Sequence, residues 1–132
     1  MSVKIDQAFI SDFQGQSFGL PIAYENAGYE PTPGTEYVAL WVFQNTISPA
    51  DLDDTDEVTG VFQFTLRYPE GKGAIPAKAM ADTIFAAYPA GRRITYSGQA
   101  VTITGKERVE AMPEDGWFKV VGRLYFTAGT AR

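Results

Sequence analysis

At 132 residues with a formal net charge of -5, no cysteine and no histidine, the chain is sized for one domain, residues 1–132, that removes about two-thirds of its surface from water on folding. The missing Cys and His exclude disulfides, thiolate metal sites, the usual zinc ligand, the usual general base and the usual pH switch. The acidic balance argues against a general affinity for nucleic acid, which needs Lys and Arg over phosphates.

The N-terminal stretch Met1 to Asp6 has no signal-peptide core, and no apolar run approaches the roughly 20 residues of a membrane span. The expectation is a soluble protein made in a cytoplasm, with no membrane partner. Ser2 is placed to cap a short helix in which Ile5, Phe9, Ile10 and Phe13 share a face, with Gly15 a natural end. From Gln14 to Pro33, Gly and Pro interrupt regular structure, although Ile22 to Asn26 reads as extended; residues 14–34 are expected to be an ordered loop or a flexible arm. Thr35 to Gln44 follows as a strand with Tyr37, Ala39, Trp41 and Phe43 on one face and Val38, Leu40 and Val42 on the other. Both faces are apolar, which predicts a strand that is central or covered on two sides.

Residues 45–59 hold Asp51, Asp53, Asp54, Asp56 and Glu57 with no basic residue, which predicts an exposed acidic loop. The segment from Gly60 to Tyr88 is the clearest in the chain. Phe62, Phe64, Leu66 and Tyr68 alternate with Gln63, Thr65 and Arg67, the period of a half-buried strand, and Pro69 with Glu70-Gly71-Lys72-Gly73 ends it. Ala77, Met80, Ala81, Ile84, Phe85 and Tyr88 then form an amphipathic helical stripe with Lys78 and Asp82 opposite. Pro76 suits its first turn, no side chain is placed to cap it, and Pro89-Ala90-Gly91 closes it. Arg92 to Tyr96 and Gln99 to Thr104, joined by Ser97-Gly98, read as a hairpin. Glu107 to Gly116 reads as loop. Trp117 to Thr127 is a last strand with Phe118, Val120, Leu124 and Phe126 inward and Lys119, Arg123 and Tyr125 outward, and Ala128 to Arg132 reads as a frayed tail. The sum is an α+β domain: a mostly antiparallel or mixed sheet of about four to five strands with two helices on one face.

Catalytic motifs fail on their physical requirements. Gly71-Lys72-Gly73 lacks the earlier Gly of a phosphate loop and the Ser or Thr that would hold magnesium. The run Asp51 to Asp56 lacks the mid-loop Gly and terminal Glu of an EF-hand, so a solvated loop is the simpler reading. Arg92 and Arg93 have forks suited to phosphate or a partner's carboxylates, against the simpler reading of one inward stem and one solvated charge. Trp41 and Trp117 suit interface anchors, with core packing the default for strand aromatics. No catalytic, cofactor or metal residue is assigned, and the chain is read as a non-enzyme.

Several segments together resemble the phage tail terminator-like family, related to the minor tail protein U of lambda-like phages. The segments are Ile22-Ala23-Tyr24-Glu25-Asn26 followed by Tyr29 and Pro31, then Gly60 to Pro69 with Gly71 and Gly73. Ala79 to Phe85 and Asp115-Gly116-Trp117, opening an aromatic strand, complete the pattern. Glu25 stands where that family commonly has Pro. The resemblance runs over roughly residues 3 to 127 and rests on order and spacing. It implies a structural virion protein, made in the host cytoplasm. Its subunits form a homo-oligomeric ring, usually a hexamer, that ends the tail tube and joins it to the head. The implied partners are further copies of itself, the tail-tube protein and a head-completion or neck protein. A neck or tube subunit is the alternative, and a ligand-binding domain or carboxylate enzyme a more distant one. A ring requires two different complementary patches per subunit. The acidic set Asp51, Asp53, Asp54, Asp56 and Glu57 and the basic set Arg67, Lys72, Arg92 and Arg93 are the expected pair.

Overall fold

The computed structural model describes residues 3–25, 28–49 and 55–131. In chain order these form α1 (Val3–Gln16), β1 (Ile22–Ala23), β2 (Tyr37–Pro49), β3 (Thr55–Pro69), α2 (Ile75–Ala87), β4 (Arg93–Tyr96), β5 (Gln99–Glu114) and β6 (Trp117–Ala131). The six strands make one sheet in the order β1-β2-β3-β6-β5-β4. All neighbours are antiparallel except β1, which runs parallel to β2. The α+β expectation stands, with a larger and mixed sheet.

The centre of the sheet is the β3–β6 ladder, fifteen residues in unbroken register from Thr55↔Ala131 to Pro69↔Trp117. Two cross-strand pairs lock it. Gly60 lies opposite Phe126, and Phe64 lies opposite Gly122. A Cβ on Gly122 would stand 2.3 Å from Phe64 Cζ, and one on Gly60 would stand 2.7 Å from Phe126 Cζ and 2.0 Å from the Phe43 carbonyl oxygen. Each strand therefore offers a hole to a ring on the other. A two-residue slip keeps the same face inward but sets rings against side chains that cannot yield.

Both helices cover the face that carries these rings, because that face is the continuously apolar one along β3 and β6, the other mixing Val61 and Val121 with Gln63, Arg67, Lys119 and Arg123. From α1, Phe9 stacks on Phe62 at 4.5 Å and meets Phe126 at 5.1 Å, while Phe13 meets Phe62 edge-on at 6.0 Å. From α2, Phe85 meets Phe64 at 5.2 Å. Ile5, Ala8, Ala77, Ala81 and Ile84 complete the buried faces of the two helices. Each large side chain buried here stabilises the fold by roughly 1.5–3 kcal/mol before entropy is subtracted. Helix α2 starts at Ile75 with Pro in its first turn and no side-chain cap, as the sequence indicates. Helix α1 continues one residue past Gly15 and stops where Ser17 turns to a φ of 54°. Its expected cap, Ser2, lies outside the described residues.

Four sequence expectations are corrected. Residues 45–49 and 55–59 are strand rather than loop, because β2 continues to Pro49 and β3 begins at Thr55, pairing Ser48↔Glu57 and Pro49↔Asp56; the part of the expected acidic loop at 50–54 lies outside the described residues. A bulge between Gln44 and Thr46 breaks the alternation that would have announced it. Glu107 to Glu114 likewise belongs to β5, paired with β6 with a bulge between Arg108 and Glu110, and only Asp115-Gly116 turns. Both turn residues have positive φ, 50° and 84°, as do Ser97 and Gly98 in the β4–β5 hairpin, which matches the right-handed twist of tight hairpins. Ala128 to Ala131 is not frayed but pairs with Thr55 to Val58, with Ala128 and Thr130 buried. Finally, β2 is covered on one face only: Val38 and Leu40 are buried under the helices, whereas Trp41 and Phe43 are 41% and 43% exposed.

The reciprocal glycine–phenylalanine fit predicts that Gly122→Ala destabilises the protein by about 1–3 kcal/mol, the usual cost of overpacking. Gly60→Ala should cost more, since the Phe43 carbonyl belongs to a neighbouring strand and has no rotamer to retreat into. Urea denaturation of the two variants checks the order, and a Gly60→Ala protein as stable as the parent would remove the fit as the register lock.

Candidate functional site

Two features of the sheet face solvent: its helix-free face and its long outer edges. The helix-free face is built from the residues that alternate with the core. Tyr37, Val61, Thr65 and Val121 on this face are nearly buried. Tyr37 meets Trp117 edge-on at 5.3 Å and Tyr29 at 4.9 Å. Trp41 and Phe43 lie two residues apart on β2 with rings nearly parallel, 9° between planes and 6.3 Å between centroids. Beside them run polar side chains joined across strands: Arg123 Nε donates to Gln63 Oε1 at 3.1 Å and the Tyr125 hydroxyl to Glu107 Oε1 at 2.8 Å. Of the two tryptophans, Trp117 packs half-buried against Tyr37, and Trp41 is the one presented to solvent.

Among the nine charges expected at a subunit contact, Asp51, Asp53 and Asp54 lie outside the described residues. Asp56 and Glu57 open β3, and Glu57 accepts a hydrogen bond from Thr127 Oγ1 at 3.3 Å. Arg67 stands toward the other end of the same strand and contacts Glu114 at 3.3 Å. Lys72 is exposed in the turn that precedes α2. Arg93 is exposed on β4, where it lines an open depression together with Glu57, Thr102, Thr127 and Gly129. The structure therefore brings Glu57 and Arg93 to one surface and leaves Arg67 far along the sheet from the acidic end.

Arg92 has an internal partner. Its two terminal nitrogens donate to both oxygens of Asp12 at 2.8 and 2.7 Å, and Nη1 also donates to the Ala87 carbonyl at 3.0 Å. One guanidinium thus joins α1, the last carbonyls of α2 and the start of β4, and it lies 5.0 Å from the centroid of the Tyr88 ring. The Tyr88 hydroxyl is buried without a hydrogen bond of normal geometry. Burial first, and the Asp12 charge second, push its ionisation far above the ordinary phenol range. Of the neighbouring arginines, Arg92 is the inward stem and Arg93 the solvated charge, and Asp12, eighty residues away in the chain, carries no sequence signal of its role.

At the opposite end of the β5–β6 hairpin, Lys119 Nζ lies 2.6 Å from both Glu110 and Glu114. Hydrogen bonds from Lys119 and then Arg67 hold the Glu114 carboxyl below its ordinary value of 4.5. These are charge ladders on a solvent face. Among the described residues no group of three or more acidic side chains is arranged to hold a metal ion, and no helix is long and apolar enough to cross a membrane. The helix-free face and the strand edges are suited to protein contact.

The sequence matches a family model described as phage tail terminator protein over residues 4–124. Among curated proteins none matches it. One solved structure, 24% identical, superposes with a TM-score of 0.69 over 94% of this chain and 92% of its own, which establishes a shared fold.

The Glu114 site carries a pH dependence whose sign is set by linkage. Its carboxylate is favoured in the folded state, so the stability it adds is complete above about 4.5 and is lost as pH falls through the lower folded value. Carbon-detected titration should find Glu114 with a midpoint below that of a free glutamate, and Lys119→Met should move it upward. Separately, Arg92→Lys should destabilise the fold by about 1–2 kcal/mol, because an ammonium cannot reproduce the forked contact. Thermal melts of Arg92→Lys, Asp12→Asn and the double variant should show the two changes to be less than additive.

Proposed function

The chain belongs to the phage tail terminator family and is a structural component of a phage tail, and from that membership we propose that it forms the homo-oligomeric ring, a hexamer, that ends the tail tube and joins it to the head. The carrying observation is the family match over residues 4–124, nearly the whole described fold. The architecture supports the reading. A ring subunit needs two unlike patches that meet head to tail. This sheet presents an aromatic strand, β2, at one side and a charged strand, β5, at the other. The acidic run from Asp51 to Glu57 supplies the electrostatic part. With Arg92 held by Asp12 and Arg67 by Glu114, Lys72 and Arg93 are the cations that reach toward a neighbour. The proposed axial partners are the tail-tube protein on one face of the ring and a head-completion or neck protein on the other.

Negative-stain electron microscopy of the protein alone, and of the protein mixed with tail tubes assembled without a terminator, tests this. Closed rings, or caps on one tube end with arrested tube length, are the expected result. Open tubes formed by the protein alone would make it a tube subunit, and the absence of both rings and caps would overturn the reading. Opposite charges steer association mainly through its rate and are screened over about 10 Å at 0.1 M salt. Asp53→Lys with Asp54→Lys should therefore slow ring formation at low salt, with the difference fading as salt rises; light scattering over a salt series reads this out.

A further inference from the structure

We propose that neighbouring subunits join by strand pairing, with the open edge of β2 in one copy laid antiparallel against the open edge of β5 in the next. The inference rests on the ring reading and specifies how its lateral contact is made. Three independent observations lead to it.

The first is topological. Strand β1 pairs with β2 only at Val38 and Ala39, and β4 pairs with β5 only from Gln99 to Thr102. From Leu40 onward in β2 and from Thr104 onward in β5, no strand among the described residues occupies the outer edge. Unpaired edges of this length are ready templates for another chain. The four long strands alternate in direction across the sheet, β2 and β6 one way and β3 and β5 the other. A copy generated by rotation about an axis along the strands keeps those directions. Its β2 then meets this β5 antiparallel, and the alternation continues across the contact.

The second observation is the match in height. Counting across the ladder, Phe43 is level with Val61, Tyr125 and Gly105, and Leu40 is level with Phe64, Gly122 and Arg108. Leu40 to Phe43 is the part of the β2 edge that lies before its bulge, and Gly105 to Arg108 is the part of β5 that lies between its two bulges. The regular windows on the two edges thus stand at the same height. The two bulges bound this window, and the charges of Lys106, Glu107 and Arg108 within it discourage indiscriminate pairing, leaving a short, addressed stretch. In that register Phe43 lies over Gly105, whose Cβ position has no atom within 4 Å. An exposed ring then covers a bare glycine, a pairing known to stabilise sheets.

The third observation is chemical. The Val42 amide, which points out of the edge, donates to Glu25 Oε1 at 3.3 Å. A carboxylate occupies the place where a strand carbonyl would sit, and one side-chain rotation removes it. The exposed apolar residues agree: Trp41, Phe43 and Ile47 lie on β2, and Val109 and Met112 on β5. The remaining two, Val3 and Ile75, open the helices.

The chain has no cysteine of its own, so paired substitutions give a clean test in the full-length protein. Phe43→Cys with Gly105→Cys is one pair, and Trp41→Cys with Glu107→Cys, one step along the same register, is the second. After assembly on tail tubes and mild oxidation, each pair should give a ladder of covalent oligomers on a non-reducing denaturing gel. The ladder should reach the ring size and collapse to monomer on reduction, while each single substitution stays monomeric. Rings seen by microscopy without a ladder would overturn the strand pairing and leave the ring reading intact. Disulfide dimers of the Phe43→Cys single variant would overturn it in favour of a two-fold contact between β2 edges. In the unsubstituted protein, exchange of the edge-facing amides of Leu40, Val42, Lys106 and Arg108 should slow at least tenfold on ring formation, and unchanged exchange of these amides in verified rings would overturn the pairing without any variant. If the unsubstituted protein makes neither rings nor caps, the ring reading fails and the strand pairing falls with it.

Discussion

The β3–β6 ladder is the constraint from which the rest of this structure follows. Its register is set by volume, since Gly60 admits Phe126 and Gly122 admits Phe64, and packing at interior density leaves no slack for an alternative. Once that register is fixed, the inward residues of both strands form a single aromatic surface, and α1 and α2 have one place to bury their own apolar stripes. The helix-free face follows by elimination. Alternate residues must point away from the helices, and there they pair in cross-strand ladders of Gln63 with Arg123 and Tyr125 with Glu107.

The same constraint explains where charge is structural and where it is presented. Arg92 lies where three elements converge, and a planar fork with several donors is the side chain that can satisfy a carboxylate and a helix-terminal carbonyl together. Lys119 with Glu110 and Glu114 does comparable work in solvent, where each contact is individually weak. The side chains that remain outward and apolar gather on the two strands nearest the sheet's margins. For a monomer that would be a hazard, and for a subunit it is a means of recognition.

Much of this was legible in the sequence because burial leaves a periodic trace. Gly60 to Tyr68, Ala77 to Tyr88 and Trp117 to Thr127 carry clean two- or near-four-residue periods, and the structure keeps all three. What the sequence hid are strands held by backbone pairing with little burial to mark them. Residues 45–49, Glu107 to Glu114 and Ala128 to Ala131 are mostly polar, charged or small, with Ile47, Val109 and Met112 left exposed, and bulges at Asn45, Thr104 and Val109 shift the phase that a reader would follow. The double-faced apolarity of Tyr37 to Phe43 was real, but it marked an exposed aromatic face as well as a buried one. The expected charge sets were visible as composition. Which of those charges already has a partner, as Arg92 has Asp12, depends on tertiary proximity that no local pattern records. The open edges are a property of strand order and had no sequence signal at all.

The order of the strands also bears on how the chain reaches this state. β2 and β3 form one hairpin, β5 and β6 another, and each closes through a local connection, whereas the central ladder unites strands separated in sequence by α2, β4 and β5. Loop-closure entropy makes such a long-range union the slow event. Neither hairpin has a complete floor for either helix beforehand, since Phe9 rests on Phe62 from one and Phe126 from the other. The glycine-for-phenylalanine exchange lies in that long-range ladder, so the contact closed at the greatest cost in chain entropy is also the one whose side-chain volumes admit a single alignment.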